Sequence, residues 1–129
     1  MGANNTRYDA ATRAGRPNPL HDYTRINGGY IPTVGSLSSP LYENQSNAFE
    51  KIHIEVCNTT SGDLTFSVYI VPAGGVLANQ WLRFNSAPLG ANETLVFPKP
   101  YTLDSGDKVV VTASAANSIT AYADLELCR

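Results

Sequence analysis

An all-β fold, an antiparallel sandwich or jelly roll, is what this sequence predicts, and three observations predict it. Two nine-residue stretches, Phe49–Cys57 and Asp63–Val71, carry runs in which apolar and polar residues alternate, over 51–56 and 64–70. Clusters of Gly, Pro, Asn, Asp and Ser punctuate the chain from residue 58 onward at short intervals. Charged residues are only 16% of the 129, and Ser, Thr, Asn, Gly and Pro take their place.

Taken in order, Ile52, Ile54 and Val56 alternate with Lys51, His53 and Glu55, then Leu64, Phe66, Val68 and Ile70 with Thr65, Ser67 and Tyr69. Each set predicts a strand with one buried and one wet face. Asn58-Thr59-Thr60-Ser61-Gly62 between them reads as a hairpin loop. Pro72-Ala73-Gly74-Gly75 ends the second strand, and Val76–Phe84 fits either a strand or one helical turn. Asn85-Ser86-Ala87-Pro88 reads as a turn and Glu93–Phe97 as a short strand. Pro98-Lys99-Pro100 then suits a sheet edge, because proline cannot donate to the ladder. Asp104-Ser105-Gly106-Asp107 is a turn, and Val109–Ser114 and Ile119–Leu127 are the last strands. The expected domain is therefore 48–129, with no internal repeat.

Residues 1–47 differ in character. Four prolines and five glycines interrupt them, and no period survives. They read as an extended, largely irregular arm. Its apolar and aromatic residues argue against a purely solvating tail. An arm ordered on a partner surface is the expected reading, and folding back on its own sandwich is also compatible. The expected partner-binding residues are Arg7, Tyr8, Arg13, Arg16, Tyr23, Ile26, Tyr30 and Ile31.

The net charge of −2 supplies no basic stripe for nucleic acid. No apolar run approaches the length of a membrane span. The first 16 residues lack the apolar middle of a secretory signal, so synthesis and initial residence in the cytoplasm are expected. Four Asn-x-Ser/Thr patterns, beginning at Asn4, Asn44, Asn58 and Asn92, are expected by chance in such a composition.

No residues assemble into an expected catalytic, metal or cofactor site. His53 falls in the wet phase of its strand, and His21 with Asp22 lacks a nucleophile. Asp104 and Asp107 offer too few oxygens for calcium and suit a turn. Cys57 and Cys128 are expected as free thiols, although neighbouring first and last strands would bring them closer. Trp81, Tyr69, Tyr101 and Tyr122 remain candidates for an aromatic sugar platform. An enzyme is not expected.

Val56-Cys57-Asn58, the run from Asp63 through Gly75, Ala91–Leu95, Leu103–Asp107 and Thr112–Ala115 together resemble small β-sandwich structural proteins of tailed bacteriophage virions. The resemblance covers roughly residues 49–127 and carries no functional residue across. It implies a location on the virion and a role as capsid cement or decoration. The implied partners are the major capsid protein or other virion subunits, with homo-oligomeric contacts on the particle. A tail or neck accessory that binds carbohydrate or a receptor is the alternative it leaves open.

Overall fold

A computed structural model describes residues 21–128, with side chains from 28 to 126. Nine strands follow in order: β1 (His21–Tyr30), β2 (Tyr42–Glu43), β3 (Glu50–Asn58), β4 (Leu64–Val71), β5 (Leu82–Leu89), β6 (Thr94–Val96), β7 (Tyr101–Leu103), β8 (Lys108–Ala113) and β9 (Ile119–Cys128). One 3-10 turn, Asn79–Trp81, precedes β5.

The pairing is nested. β1 pairs with β9, β2 with β8, β3 with both β6 and β7, and β4 with β5, all antiparallel. Two sheets result, β1-β9-β3-β6 with β7 also on β3, and β2-β8-β4-β5. β6 and β7 lie on the same side of β3 at different points along it and act as one strand, interrupted at Pro98-Lys99-Pro100. That makes eight effective strands in jelly-roll order. The interruption lies on a sheet edge, as the prolines require.

The alternation in β3 and β4 is read correctly from the sequence. Ile52, Ile54, Val56, Phe66, Val68 and Ile70 all face the space between the sheets and are buried. Val109, Val111 and Ala113 of β8 and Ile119, Ala121 and Ala123 of β9 complete the two walls. Phe66, Phe84 and Phe97 stack at the centre with centroids 4.7–5.9 Å apart. Such ring pairs add to the transfer free energy of burial.

Three local expectations are corrected. Asn58–Gly62 is not a hairpin, because β3 and β4 belong to different sheets and the loop crosses between them. Asn85–Pro88 is not a turn but part of β5. Ser86 there has φ 50°, its N–H reaches the Ser67 hydroxyl, and the pairing slips locally. A bulge of this kind absorbs the turn-forming residues, and β5 is an edge strand, where Pro88 is tolerated.

The third correction concerns the boundary at residue 48. β1 is an edge strand of the first sheet, with a one-residue bulge at Ile26. Ile31 is 5% exposed and belongs to the core. Residues 31–41 then run beside β8, with Pro32 accepting from the Ala113 N–H and Leu41 donating to Val109. Lys108 Nζ holds the Leu37 carbonyl at 3.0 Å. Gly35 lies so close to Val110 that a Cβ would come within 2.7 Å of its Cγ1. This segment covers an outer face that carries Val110, which a bare sandwich would expose. Between residues 28 and 47, the fold-back alternative is the one the chain adopts. Hydrophobic cover and backbone pairing along β8 explain why.

Candidate docking surface and the loops that frame it

The loops gather at two ends. Residues 59–63, 90–93 and 114–118 meet at one, where Thr59 N–H bonds Ser118 and Asn92 N–H bonds Thr60. Residues 44–49, 72–81 and 104–107 meet at the other, where Asn44 and Asp107 pair.

Each end is held by a buried asparagine with the same wiring. Asn58 Nδ2 donates to the carbonyls of Gly62, Leu89 and Gly90 at 2.7–3.1 Å, and its Oδ1 accepts from the N–H and hydroxyl of Thr60. Asn44 Nδ2 donates to Ala48 and Leu103, both at 2.9 Å, and its Oδ1 accepts from the N–H and hydroxyl of Ser46. Both side chains are fully buried. The shared spacing Asn-x-Ser/Thr-x-Ala/Gly is legible in the sequence, but it resembles a glycosylation pattern and so hides its structural role. Burial and full use of the amide exclude these two asparagines as acceptors in the folded chain.

The loop carboxylates cap backbone donors. Asp107 Oδ2 accepts from Asp104 N–H at 2.8 Å, Glu93 Oε1 from Gly90 N–H at 2.6 Å, and Asp63 Oδ1 from Ala91 N–H at 3.1 Å. The turn reading of 104–107 is therefore the observed one, with Gly106 at φ 87° against Ala73. Among the described residues no group of three or more His, Cys, Asp or Glu could hold a metal.

The outer face of β3 and β9 is polar. His53 lies opposite Asp124 in register and pairs diagonally with Glu126, Nε2 to Oε1 2.7 Å. Tyr122 lies over Gly28 of β1, where a Cβ would come within 1.9 Å of the ring. Cys57 is a free thiol, as expected. It stands opposite Thr120, eight residues from Cys128 along β9. At about 3.3 Å per residue that is roughly 26 Å, far beyond disulfide reach. The strands are neighbours, yet their register keeps the two positions apart.

The four aromatics of the sugar-platform reading do not meet. Tyr69 faces outward from the second sheet and Tyr122 outward from the first. Tyr101 turns its ring edge onto Phe97, 6.3 Å away, and Trp81 buries its indole N–H without a partner among the described residues. Between the sheets, Tyr42 donates to Glu50 Oε1 at 2.5 Å. Burial first, and then the Glu50 carboxylate, push the Tyr42 phenol well above its usual range.

The largest apolar exposure at the 44–49 end is Phe49, 75% exposed. It borders a cleft of about 400 Å³ whose walls include Lys51, Asp104 and Glu126. Sequence reading did not single it out: Phe49 shares the phase of Lys51 and His53, the wet face of its strand, and a lone apolar residue there carries no signal of a cleft.

Of the expected partner-binding residues, Arg7, Tyr8, Arg13 and Arg16 lie outside the described residues. Tyr23 and Ile26 lie on β1, and their side chains are likewise outside the description. Tyr30 ends β1 and is 57% exposed, available to a partner. Ile31 is instead a core residue of its own sandwich, and its burial removes it from any docking surface. Comparison with known proteins finds no matching family, no matching curated protein and no matching solved structure.

Proposed function

We propose that the protein is a structural component of a tailed-bacteriophage particle that binds and stabilises neighbouring capsid subunits. The observation that supports this reading is a jelly-roll frame into which an arginine-bearing N-terminal segment leads through an edge strand. A rigid frame with loops capped by their own side chains acts through its surfaces. Residues 1–20 hold Arg7, Arg13 and Arg16 against Asp9, a charge of 3 − 1 = +2. Residues 21–129 hold 6 − 10 = −4. The segment is thus the cationic part of an acidic chain. Arginine forks carboxylates in two parallel bonds, so the partner class is a capsid subunit with an acidic surface. Tyr8 adds a ring that buries area and keeps a hydroxyl for bonding.

The test uses full-length protein and purified capsids that lack it. Replacing Arg7, Tyr8, Arg13 and Arg16 together by alanine should weaken co-sedimentation by about tenfold or more, since exposed ion pairs contribute up to about 1 kcal/mol each. Binding of the unaltered chain should also fall as salt rises. Equal binding by the altered chain would refute attachment through the segment. Recovery with tails rather than capsids would refute the location.

A further inference from the structure

We infer that the cleft beside Phe49 is a binding site for a neutral saccharide. A pyranose has an apolar face of C–H bonds and a rim of hydroxyls. It is held by an aromatic ring against the face and by fixed donors and acceptors at the rim. Phe49 offers the ring, largely exposed to solvent. One exposed apolar side chain is ordinary on a protein surface. This one borders a hollow of about 400 Å³, within the size range of small-molecule sites.

The rim is supplied by Asn47, Lys51, Asp104 and Ser105. Among the described residues, their side chains have no hydrogen-bond or ion-pair partner. Together they offer an amide, an ammonium, a carboxylate and a hydroxyl. A carboxylate accepts from two neighbouring sugar hydroxyls, an ammonium donates to a third, and an amide does both. Glu126, also in the wall, is buried and bonded to His53, so it shapes the cleft without offering a contact. The free charges, Lys51 and Asp104, cancel, which favours an uncharged ligand over a phosphate or an amine.

The frame is also pre-organised. Buried Asn44 ties the two loops together. Its Nδ2 donates to the Ala48 and Leu103 carbonyls, its N–H to Asp107, and its own carbonyl accepts from Gly106. Asn47, Phe49, Asp104 and Ser105 each adjoin one of these anchored residues. Lys51 lies within β3, paired with both Thr102 and Glu126. A ligand therefore meets backbone that is already fixed, and loses little affinity to ordering it. A single hexose has about 12 non-hydrogen atoms, which at ordinary ligand efficiency gives a Kd in the millimolar range. The inference does not rest on the capsid reading and holds wherever the chain resides.

The test is saturation-transfer NMR on the full-length protein with the methyl glycosides of glucose, galactose, mannose and N-acetylglucosamine, each titrated to about 50 mM. At least one should bind in the millimolar range, with transfer concentrated on the C–H protons of one sugar face. Phe49→Ala should weaken that binding about tenfold or more and Asp104→Ala severalfold, whereas Phe49→Trp should retain it. Both residues are exposed, so the melting temperature should hold. Binding by none of the four sugars would overturn the inference, as would equal affinity in Phe49→Ala. Self-association in sedimentation that Phe49→Ala abolishes would overturn it too, by assigning the cleft to a second copy. Should Phe49→Ala lower the melting temperature, Asp104→Ala decides, and an unchanged affinity there counts against the site.

Discussion

Replacing Asn58 by alanine tests whether the buried asparagines hold the loop ends. Lost are the two Nδ2 hydrogens shared among the carbonyls of Gly62, Leu89 and Gly90, and the two bonds into Oδ1 from Thr60. A net hydrogen bond contributes about 1 kcal/mol, and a buried group left without a partner costs about 1–3 kcal/mol. The Leu89 and Gly90 carbonyls and the Thr60 N–H lose the partner they have in Asn58. Partial rewetting at a loop end offsets some of this, so a loss of about 3–5 kcal/mol is expected. Asn44→Ala removes four bonds of the same kind at the opposite end and should cost about 3–4 kcal/mol. Because the two sites share no partner, the double variant should lose roughly the sum. Urea unfolding at neutral pH, followed by the single tryptophan, Trp81, gives each value. A loss below about 1 kcal/mol for Asn58→Ala would refute the reasoning, since it would mean that water replaces the side chain fully.

Gly28→Ala should lower stability by about 1–3 kcal/mol through collision with the Tyr122 ring, and Tyr122→Ala in the same chain should restore part of it. A double-mutant cycle reads the coupling. Phe66→Ala and Ile54→Ala should each cost about 2–5 kcal/mol and Thr65→Ala much less, measured by urea unfolding; equal costs would reverse the strand faces. The Tyr42 phenol is raised by burial and by Glu50, so the folded chain keeps a proton that the unfolded chain loses above about pH 10. Stability should therefore fall as pH rises beyond that point. Burial raises the Tyr101 phenol in the same direction, against a smaller lowering by Arg83. Tyr42→Phe should flatten the alkaline slope in melting curves, and absorbance titration should show fewer late phenols.

The strand faces were legible in the sequence because a period of two residues reports burial directly, and Ile52, Ile54, Phe66 and Val68 obey it. Pro98 and Pro100 marked an edge because a missing N–H is a local property. The Asp104–Asp107 turn was likewise readable, since its bonds close within four residues. Pairing was not readable. Alternation says that a strand has a dry face, but β3 and β4 present the same pattern while lying in opposite sheets. The loop at Asn58–Gly62 looks like a hairpin until the carbonyls of Leu89 and Gly90, some thirty residues away, are seen to take its amide protons. Residues 28–47 look irregular because their backbone partners are distant. Ile31 bonds Ile119, Pro32 bonds Ala113 and Leu41 bonds Val109, and no local period encodes those pairs. The cleft at Phe49 is of the same kind, formed only when the 44–49 and 104–107 loops and the end of β9 converge. Sequence alone determined which side chains seek the interior; only the tertiary structure decided which backbones and loops meet, because those contacts are specified by the closing of the two sheets rather than by neighbours along the chain.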